Sequence, residues 1–510
     1  MKEHEIRFSV QPSSRANVAA WFATAGSKSE SCETIYFDTD VRALQSAGIE
    51  LRVRRIENRF VQTIKSSDAA GSTWVRQEDE TPVASFDPSM DHLAAHIPAC
   101  AIKPATLGPL RPVFETRLNR LRVRREHKTG LVESVFDEGH ILAAGRSREI
   151  SEVEHELRDG KSSALATACI EFLDRSPCAI AVEGKATRGY RLWLGGEAVP
   201  VFQKRLRVES EMPIPEAVYR ILTHNFAHAL ANLPALADTG VPASIHQMRV
   251  GLRRLRSTIY AFTPVLATAG TRNLIVGTKC IFALLGDVRD ADVFVSETLP
   301  SIPPSVLPAR DRRLLEKLVA AHRAEALLRL QASLAGDEFA RLVVEIDAWI
   351  EDADWLSSTR PIDRLLADRP IAEFASSRLQ GMHRKFVKLG RRAANAGKLE
   401  DWHKVRIMAK KLRYSGEPLL AALRDEVDLN YAKNLGRLQK TLGHINDSHS
   451  VHAFLGRVRP AVPTRSRAAF AEAAAYCIGW GAASAKAASK TVGDGWRAFE
   501  AAGPALPAKS

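Results

Sequence analysis

The segment HQMRVGLRRLR (His246–Arg256) returns 157 residues later as HKVRIMAKKLR (His403–Arg413). In each copy a histidine is followed by basic residues three, seven and ten positions on, which fall within an arc of about 80° on a helix. Apolar residues fill the opposite side, so each copy predicts a helix with one face in a core and one cationic face. With one further basic residue each, the first basic strip is His246, Arg249, Arg253, Arg254 and Arg256, and the second basic strip is His403, Arg406, Lys410, Lys411 and Arg413.

Like charges on neighbouring turns repel, so a basic strip favours an anionic ligand. A second pair of segments keeps the same offset, LGDVRD at Leu285–Asp290 and LGHIND at Leu442–Asp447. Two motifs at one offset indicate an internal duplication of helical units. We therefore predict two homologous four-helix bundles, about 215–365 and 366–505, whose basic strips face each other across a groove. The Ala-rich tail from Arg465 to Trp496 is predicted to form a closing helical hairpin.

Composition excludes several classes of protein. There is no apolar run of about 18 residues, so we expect no membrane span. The start, MKEHEIRFSV, lacks the apolar region of a signal peptide. Six scattered cysteines without C-x-x-C spacing indicate a reducing cytoplasm and argue against a zinc site or a disulfide framework.

The positive charge is unevenly distributed along the chain. The formal net charge is +13, yet residues 1–200 carry −1 and the remainder carries +14. The excess therefore belongs to the part that contains the basic strips, which favours a polyanionic partner.

Residues 1–195 alternate with the period of β-strands, and one face of each strand is charged. Glu3, Glu5 and Arg7 share a face, as do Arg52 and Arg54, while the opposite faces are apolar. At least six strands mix both signs of charge in this way, which favours a closed antiparallel barrel with a charged lumen over water-facing strands. Clustered carboxylates need divalent cations and arginines need anions, so the sequence predicts a tunnel for a metal-bound, phosphate-like anion.

These strands resemble the CYTH, or triphosphate tunnel metalloenzyme, superfamily over about residues 1–195. The resemblance starts at Glu3–Arg7, which is similar to the E-x-E-x-K signature, with Arg7 in place of the lysine. It continues in order with YFDT (Tyr36–Thr39), LRVR (Leu51–Arg54), T-x-K (Thr63–Lys65), R-x-E (Arg76–Glu78), Glu133, Asp137, E-x-E-x-E (Glu152–Glu156) and GKATRGY (Gly184–Tyr190). It implies an eight-stranded barrel that acts on triphosphates with Mg²⁺ or Mn²⁺.

The resemblance also implies roles for individual residues. The implied metal ligands are Glu3, Glu5, Asp137, Glu152 and Glu154. The implied triphosphate-binding residues are Arg52, Arg54, Lys65, Arg76, Glu78, Arg120 and Lys185, and the implied catalytic set is Glu3, Glu5, Arg7 and Lys65. Arginine can bind phosphate but cannot act as a base. Three functions therefore stay open: an inorganic triphosphatase, a polyphosphate-binding pseudoenzyme, and a nucleotide cyclase or other organic triphosphate activity.

The helical half resembles the CHAD domain over roughly residues 213–500. The repeated H-x-x-R-x-x-x-[RK]-[RK]-L-R motif carries this resemblance, which implies binding of inorganic polyphosphate in a basic channel between two four-helix bundles. Few rings accompany the strips (Tyr260 and Tyr414 near their ends), which argues against nucleic acid.

The expected fold is therefore α+β. It comprises a barrel domain (1–198), a linker (199–214) and a helical domain (215–505). The expected partners are tripolyphosphate and inorganic polyphosphate, and the expected location is the cytoplasm, with association with polyphosphate granules as a further possibility.

Overall fold

The computed structural model describes residues 2–67, 70–97, 107–204, 206–266, 268–353, 355, 369–396, 399–423 and 429–501. For residues 269, 399, 421, 429, 430, 432 and 444–449 within these ranges, only the backbone is described. The boundary predicted between the two helical halves, at 365 and 366, lies outside the described residues, as do residues 502–505.

The first two hundred residues form a closed barrel. Its strands are β1 Lys2–Ser9, β2 Lys28–Asp38, β3 Ile49–Ile56, β4 Arg59–Ser67, β5 Val75–Val83, β6 Arg111–His127, β7 Gly130–Ala143 and β8 Arg146–Gly160. They run in the order β5-β4-β3-β2-β6-β7-β8-β1, all neighbours are antiparallel, and β1 also pairs with β5 to close the circle. A short β9 (Ala179–Ile180) adds to the far end of β1. The predicted eight-stranded antiparallel barrel is thus confirmed.

Helices cover the apolar outer faces of these strands. Leu51 and Val53 on β3 point outward into a core that includes Leu44 of α2 (Ala43–Ser46) and Leu93 of α3 (Met90–His96). Arg52 and Arg54 point into the barrel. A second outer core, around Phe114 of β6, lies beneath α5. Because these outer cores are buried and apolar, the charged faces must be the inner ones. The covering helices are α1 Arg15–Thr24, α2 Ala43–Ser46, α3 Met90–His96, α4 Ser162–Arg175 and α5 Lys185–Leu194.

The remainder of the described chain is largely helical. The longer helices are α6 Ile214–Ala231, α8 Pro242–Ala261, α10 Ala269–Val293, α11 Ala309–Leu334, α12 Asp337–Glu351, α13 Ile371–Ala396, α14 Leu399–Ala422, α15 Leu429–Val458 and α16 Arg467–Ala501. Two short helices, α7 Leu233–Asp238 and α9 Thr263–Leu266, lie between them. The predicted closing hairpin is wrong, because α16 is one unbroken helix of 35 residues that packs along α15.

The apolar sides of both basic strips are buried as the periodicity predicts. The buried residues are Met248, Leu252 and Leu255 in α8, and Val405, Met408 and Leu412 in α14. No helix in the described ranges has the length and apolar character needed to cross a membrane.

The chain divides into two compact units that interleave along the sequence. The first comprises Met1–Phe202, Phe226–Met248 and Gln331–Asp354, and the second comprises Gln203–Asn225, Arg249–Leu330 and Trp355–Ser510. Helix α12 therefore packs in the same unit as the barrel, against α4. The predicted limits 1–198, 199–214 and 215–505 stay predictions.

Candidate functional site

The inside of the barrel is a charged cavity of about 1130 Å³, counting its open mouth. Carboxylates and cations line it in nearly equal numbers. Each strand contributes every second residue to this lining. Most of the residues predicted from the sequence line it: Glu3, Glu5, Arg7, Arg52, Arg54, Lys65, Arg76, Glu78, Arg120, Glu154 and Lys185. The two others predicted for the tunnel, Asp137 and Glu152, are buried behind this surface.

Lys185 lines the cavity and contacts the buried carboxylates of Asp137 and Glu152. Its Nζ lies 2.8 Å from Asp137, 2.5 Å from Glu152 and 2.6 Å from Glu154. Arg120 adds two hydrogen bonds of 2.7 Å to the Asp137 carboxylate. Burial alone would raise the pKa of Asp137, but the charges of Arg120 and Lys185 outweigh it and lower that pKa. Burial and Glu5 also oppose ionisation of Glu154, whose pKa Lys185 and Arg120 nevertheless hold at about 2.

A second carboxylate group forms where β1 meets β5. Lys65 Nζ donates to Glu3 at 2.6 Å and lies 3.2 Å from Glu78. Carboxylate oxygens of Glu3, Glu78 and Glu156 all lie within 4.8 Å of one another. Burial, together with Glu3 and Glu5, raises the pKa of Glu156 to about 8 against the opposing charge of Arg158.

Arg7 holds the remaining predicted ligand, Glu5. Its Nη1 donates to Glu5 Oε1 at 2.5 Å, and its Nη2 donates to the carbonyl oxygen of Val182 at 3.2 Å. The guanidinium also lies 5.6 Å from the ring centre of Trp74. Burial opposes the charge of Arg7, but Glu5, Glu154 and Glu152 outweigh it and raise the pKa, so Arg7 stays charged.

Arg54 differs from the other inward arginines. In the part of the chain that the structure describes, it forms no ion pair with a carboxylate, and its cationic neighbours are Arg52 and Arg120. Burial and those two charges lower the pKa of Arg54. An anion in the tunnel would therefore relieve the positive charge gathered at this point.

In the second unit, aromatic rings underlie several cations of the basic strips. Phe282 of α10 lies 4.4 Å from the guanidinium of Arg249 and 5.3 Å from that of Arg256. Tyr414 of α14 lies 4.0 Å from that of Arg253, and Tyr260 of α8 lies 4.9 Å from Lys411 Nζ. Helices α8 and α14 therefore contact each other through residues of both strips.

The remaining strip residues vary in exposure. Arg254 is committed to a pair with Glu417 at 2.8 Å. His246 is half-buried and His403 is exposed; of the others, Arg406 is half-buried and Lys410 and Arg413 are exposed. Burial lowers the pKa of Arg249, Arg253 and Arg256. Asp290 pairs with Arg457 at 2.6 Å, whereas the side chain of its repeat counterpart, Asp447, lies outside the described ones.

Comparison with known proteins matches both halves. The family model of the CYTH domain matches residues 1–190, and that of the CHAD domain matches residues 220–456. The chain contains a CYTH domain followed by a CHAD domain. An inorganic triphosphatase of Haemophilus influenzae is 28% identical over 163 residues, a match that spans 31% of this chain and 44% of that protein.

Comparison with solved structures gives matches to parts of the chain. The crystal structure of a CHAD domain from the plant Ricinus communis is 25% identical, with a TM-score of 0.50, and the match covers 61% of this chain and 99% of that one. A Hippeastrum protein described as having a dominant triphosphatase activity is 16% identical, with a TM-score of 0.29, over 38% of this chain and 96% of that one.

Sequence reasoning missed several residues of the CYTH tunnel. Glu50 pairs with Arg52 (3.5 Å) and Arg76 (3.2 Å), and Arg158 lies 2.7 Å from Glu156. Both continue an alternation that was already visible, Glu50 before Arg52 and Arg158 after Glu156, so the pattern could have identified them. The position of Glu78 and Glu156 beside Glu3 had no such signal, because it depends on the register of β1 with β5 and with β8.

The CYTH tunnel fits hard divalent cations. One set of three candidate ligands is Asp137, Glu152 and Glu154, and the other is Glu3, Glu78 and Glu156. Both offer only carboxylate oxygen, which Mg²⁺ and Mn²⁺ prefer. Burial, and after it the negative charges of Glu3 and Glu5, raise the pKa of Glu156, and a divalent cation would offset those negative charges. Glu5, which the resemblance also implies as a ligand, belongs to neither set, and its Oε1 accepts a hydrogen bond from Arg7.

Proposed function

We propose that the CYTH tunnel hydrolyses inorganic tripolyphosphate in the presence of Mg²⁺ or Mn²⁺. The observation that carries this proposal is the combination of Arg54, a cation without a described carboxylate partner, with two all-carboxylate groups in the same cavity. A cavity with both features suits an anion that arrives with a divalent cation. The inorganic triphosphatase of Haemophilus influenzae, similar over 163 residues, supports the same reaction class.

In this proposal the basic residues bind and orient the phosphate chain. Arg52, Arg54 and Arg120 present planar donor groups that suit phosphate oxygens. Lys65 keeps its charge, because Glu3 and Glu78 raise its pKa despite burial and the nearby Arg52, so it acts as a phosphate contact and not as a base. The predicted metal ligands Glu3, Glu5, Asp137, Glu152 and Glu154, together with Glu78 and Glu156, would hold the cation. A bound divalent cation would neutralise phosphate charge and activate water.

Two neighbouring arginines on β3 give a matched test. Arg54 faces the tunnel, whereas Arg55 faces outward and pairs with Glu33. We expect Arg54→Gln to raise the KM for tripolyphosphate by about 10- to 100-fold, since it removes a charge-assisted phosphate contact worth roughly 1.5–3 kcal/mol. Arg55→Gln should leave KM unchanged. Equal effects from both substitutions would exclude the proposed role of Arg54.

A second candidate function is binding of polyphosphate without turnover. The observation that favours it is the 2.5 Å bond between Arg7 and Glu5, which occupies an oxygen of a predicted metal ligand. If the purified protein retains polyphosphate but releases no phosphate from tripolyphosphate, nucleoside triphosphates or thiamine triphosphate under metal titration, this candidate replaces the enzyme. Turnover of nucleoside triphosphates alone would instead favour the organic triphosphate activity.

For the CHAD domain we propose binding of inorganic polyphosphate along the basic strips. Support comes from the lowered pKa of Arg249, Arg253 and Arg256, and from the buried Nε of Arg253, for which the described residues offer no hydrogen-bond partner. The rings that these residues contact are covered by cations and so are poorly placed to stack on bases, which disfavours nucleic acid.

The strip proposal is tested by charge-neutral variants. The double substitution Arg253→Gln with Arg413→Gln should weaken polyphosphate binding at least about tenfold and reduce its salt dependence, since both cations contact the polyanion. Arg313→Gln, an exposed arginine of α11 outside both strips, is the control. Unchanged affinity in the double variant would exclude this binding surface, and unchanged affinity in His246→Ala with His403→Ala would limit those histidines to a structural role.

The expected cytoplasmic location, including association with polyphosphate granules, forms part of this proposal. Its grounds are the scattered cysteines and the polyphosphate ligand. Imaging of the tagged protein together with a polyphosphate stain tests it, and a uniform distribution in polyphosphate-loaded cells would count against granule association.

A further inference from the structure

Two histidines and an aspartate meet on the outer side of the barrel. Asp79 lies on β5 between Glu78 and Glu80, which line the tunnel, so strand alternation turns Asp79 outward. Helix α3 covers this position and carries His92 and His96 one turn apart. His92 Nε2 lies 2.6 Å from Asp79 Oδ1, and His96 Nε2 lies 3.4 Å from Asp79 Oδ2.

This arrangement exceeds what fastening α3 to the barrel requires. One histidine on the carboxylate would hold the helix, yet both rings direct the same nitrogen at it, with ring centres 4.3 Å apart. The side chains of His96 and Asp79 are 39% and 38% exposed, so an ion can reach the group from solvent. None of the three residues lines the tunnel, and none has a part in the proposed reaction.

We propose that Asp79, His92 and His96 form a binding site for a divalent transition-metal ion of the zinc class. The donor atoms already lie within 4.8 Å of one another. Bonds of about 2.0 Å to a tetrahedral ion place neighbouring ligands about 3.3 Å apart, so small side-chain movements complete the site. Two imidazole nitrogens favour zinc over magnesium, in contrast to the all-oxygen groups of the tunnel. The cysteine spacing predicts no zinc site, and this one uses no cysteine.

Hydrogen bonds to neighbouring groups favour one tautomer of each ring. His96 Nδ1 donates to the carbonyl oxygen of His92 at 2.9 Å, which leaves the lone pair on Nε2 for a metal. Gln62 Nε2 donates to His92 Nδ1 at 3.3 Å, and the Ser89 amide, which donates to Gln62 Oε1, fixes the orientation of Gln62. When His92 Nε2 binds a metal, the ring proton moves to Nδ1, and the 3.3 Å hydrogen bond from Gln62 to Nδ1 is lost. The affinity for the metal is therefore lower than that of a site in which each histidine ring donates its other N–H to a carbonyl oxygen.

A metal bound here would clamp α3 against β5. The next residues on this strand, Glu78 and Glu80, belong to the tunnel wall. An ion that binds only the folded state also stabilises that state by mass action. Occupancy of the outer site would therefore stiffen the strand that carries part of the tunnel, without placing the ion in the tunnel.

The test is a Zn²⁺ titration of the full-length protein by calorimetry. Excess Mg²⁺ occupies the oxygen sites, and Cys280→Ser removes the exposed thiol from every sample. This parent protein is compared with His96→Gln and with His140→Gln, which alters an exposed histidine elsewhere on the barrel. Melting temperatures in chelator and in Zn²⁺ are recorded for all three, because a folding defect of His96→Gln would appear in chelator.

We expect His96→Gln to bind Zn²⁺ at this site at least about tenfold more weakly than the parent and His140→Gln. Zn²⁺ should raise the melting temperature of the parent and not that of His96→Gln, and Co²⁺ in its place should give a visible absorption band only when His96 is present. Zn²⁺ binding by His96→Gln that equals the parent, or no Zn²⁺ binding by the parent in excess Mg²⁺, would overturn the proposal.

Discussion

Arg7 takes the place of the lysine in the CYTH signature, and it holds a carboxylate oxygen of Glu5. A lysine has a single nitrogen and makes no planar fork, so it competes less for that oxygen. We expect Arg7→Lys to raise the turnover of tripolyphosphate about tenfold, the equivalent of about 1.4 kcal/mol in the barrier. Phosphate release at saturating substrate measures it, with the outward-facing Arg55→Lys as the control. Unchanged or reduced turnover would show that Arg7 does not limit the reaction.

Glu133 gives a pH-dependent prediction. Its buried carboxylate accepts bonds from Arg124, at 2.6 Å, and from Arg158. Burial alone would raise its pKa, but these arginines lower it, so its stabilising effect is present above the unfolded pKa and is lost as pH falls through the lower, folded value. We expect Glu133→Gln to reduce the free energy of unfolding by about 1.5–3 kcal/mol at neutral pH. Urea titrations at pH 7 and below pH 4 measure this effect. The difference in the free energy of unfolding between the variant and the wild type should be smaller in acid than at pH 7. A constant gap would contradict this origin of the stability.

Single residues were predictable where the strand period alone decides which way a side chain points. Glu3, Arg52 and Lys65 line the tunnel because charged residues alternate with apolar ones that outer helices cover. The groups they form depend on register between distant strands, so Glu78 and Glu156 could not be assigned to Glu3. Phe282 of α10 contacts two arginines of the first basic strip. Because it belongs to another helix, the periodicity of α8 could not predict these contacts.

The C-terminal end of helix α12 contacts the N-terminal end of α4 in the barrel unit. The Asp352 carboxylate accepts bonds from the backbone N–H groups of Ser162 (2.6 Å) and Ser163 (2.8 Å), which caps α4 from another segment of the chain. We expect Asp352→Ala to lower the free energy of unfolding by about 1–2 kcal/mol. Asp352→Asn should lower it less, since the amide oxygen still accepts one hydrogen bond. Hydrogen exchange of the α4 amides should speed up in Asp352→Ala and not in Asp159→Ala, an exposed control. Equal exchange in both would exclude the capping role.

Element types were predictable more often than element partners. The 3.6-residue period predicts α12 as a helix, yet it gives no indication of which core receives Phe339, Val343 and Ile350. The structure packs these residues in the barrel unit, through contacts more than 150 residues apart in sequence. The single helix α16 was missed for a related reason. Its alanines and glycines do not distinguish a turn from a surface that packs closely on α15.

At the scale of the whole molecule, the barrel unit includes residues well beyond the CYTH match. Asp347 of α12 forms a buried pair with His4, at 2.7 Å, between the tunnel residues Glu3 and Glu5. We expect a chain of residues 1–198 to melt at a lower temperature than the barrel in the intact protein, because it lacks this pair and the Asp352 cap. Removing one partner of a buried pair costs about 3–5 kcal/mol.

A synthetic peptide of residues 331–354, added to that shortened chain, should restore part of the loss. The same peptide with Asp347→Asn and Asp352→Asn is the control and should restore little. If the shortened chain melts at the same temperature as the barrel in the intact protein, α12 contributes nothing to the barrel, and the predicted boundary at 198 is an independent folding limit.

The division of charge along the chain agrees with the two ligand sites proposed above. The first 200 residues are nearly neutral because the tunnel balances carboxylates with cations, whereas the helical part carries the excess of +14. The former suits a metal–phosphate complex and the latter a bare polyanion.

The most direct test of this account is phosphate release from tripolyphosphate by the wild type, Glu154→Gln and Glu149→Gln, with Mg²⁺ or Mn²⁺ and with chelator. Glu154 of β8 lines the tunnel and forms an ion pair with Lys185. Glu149, on the same strand, is exposed and forms an ion pair with Arg15. We predict metal-dependent release by the wild type and Glu149→Gln, and a fall of at least about 100-fold in Glu154→Gln. Release that survives the loss of Glu154, or that is absent from the wild type with either metal, would contradict a hydrolytic tunnel.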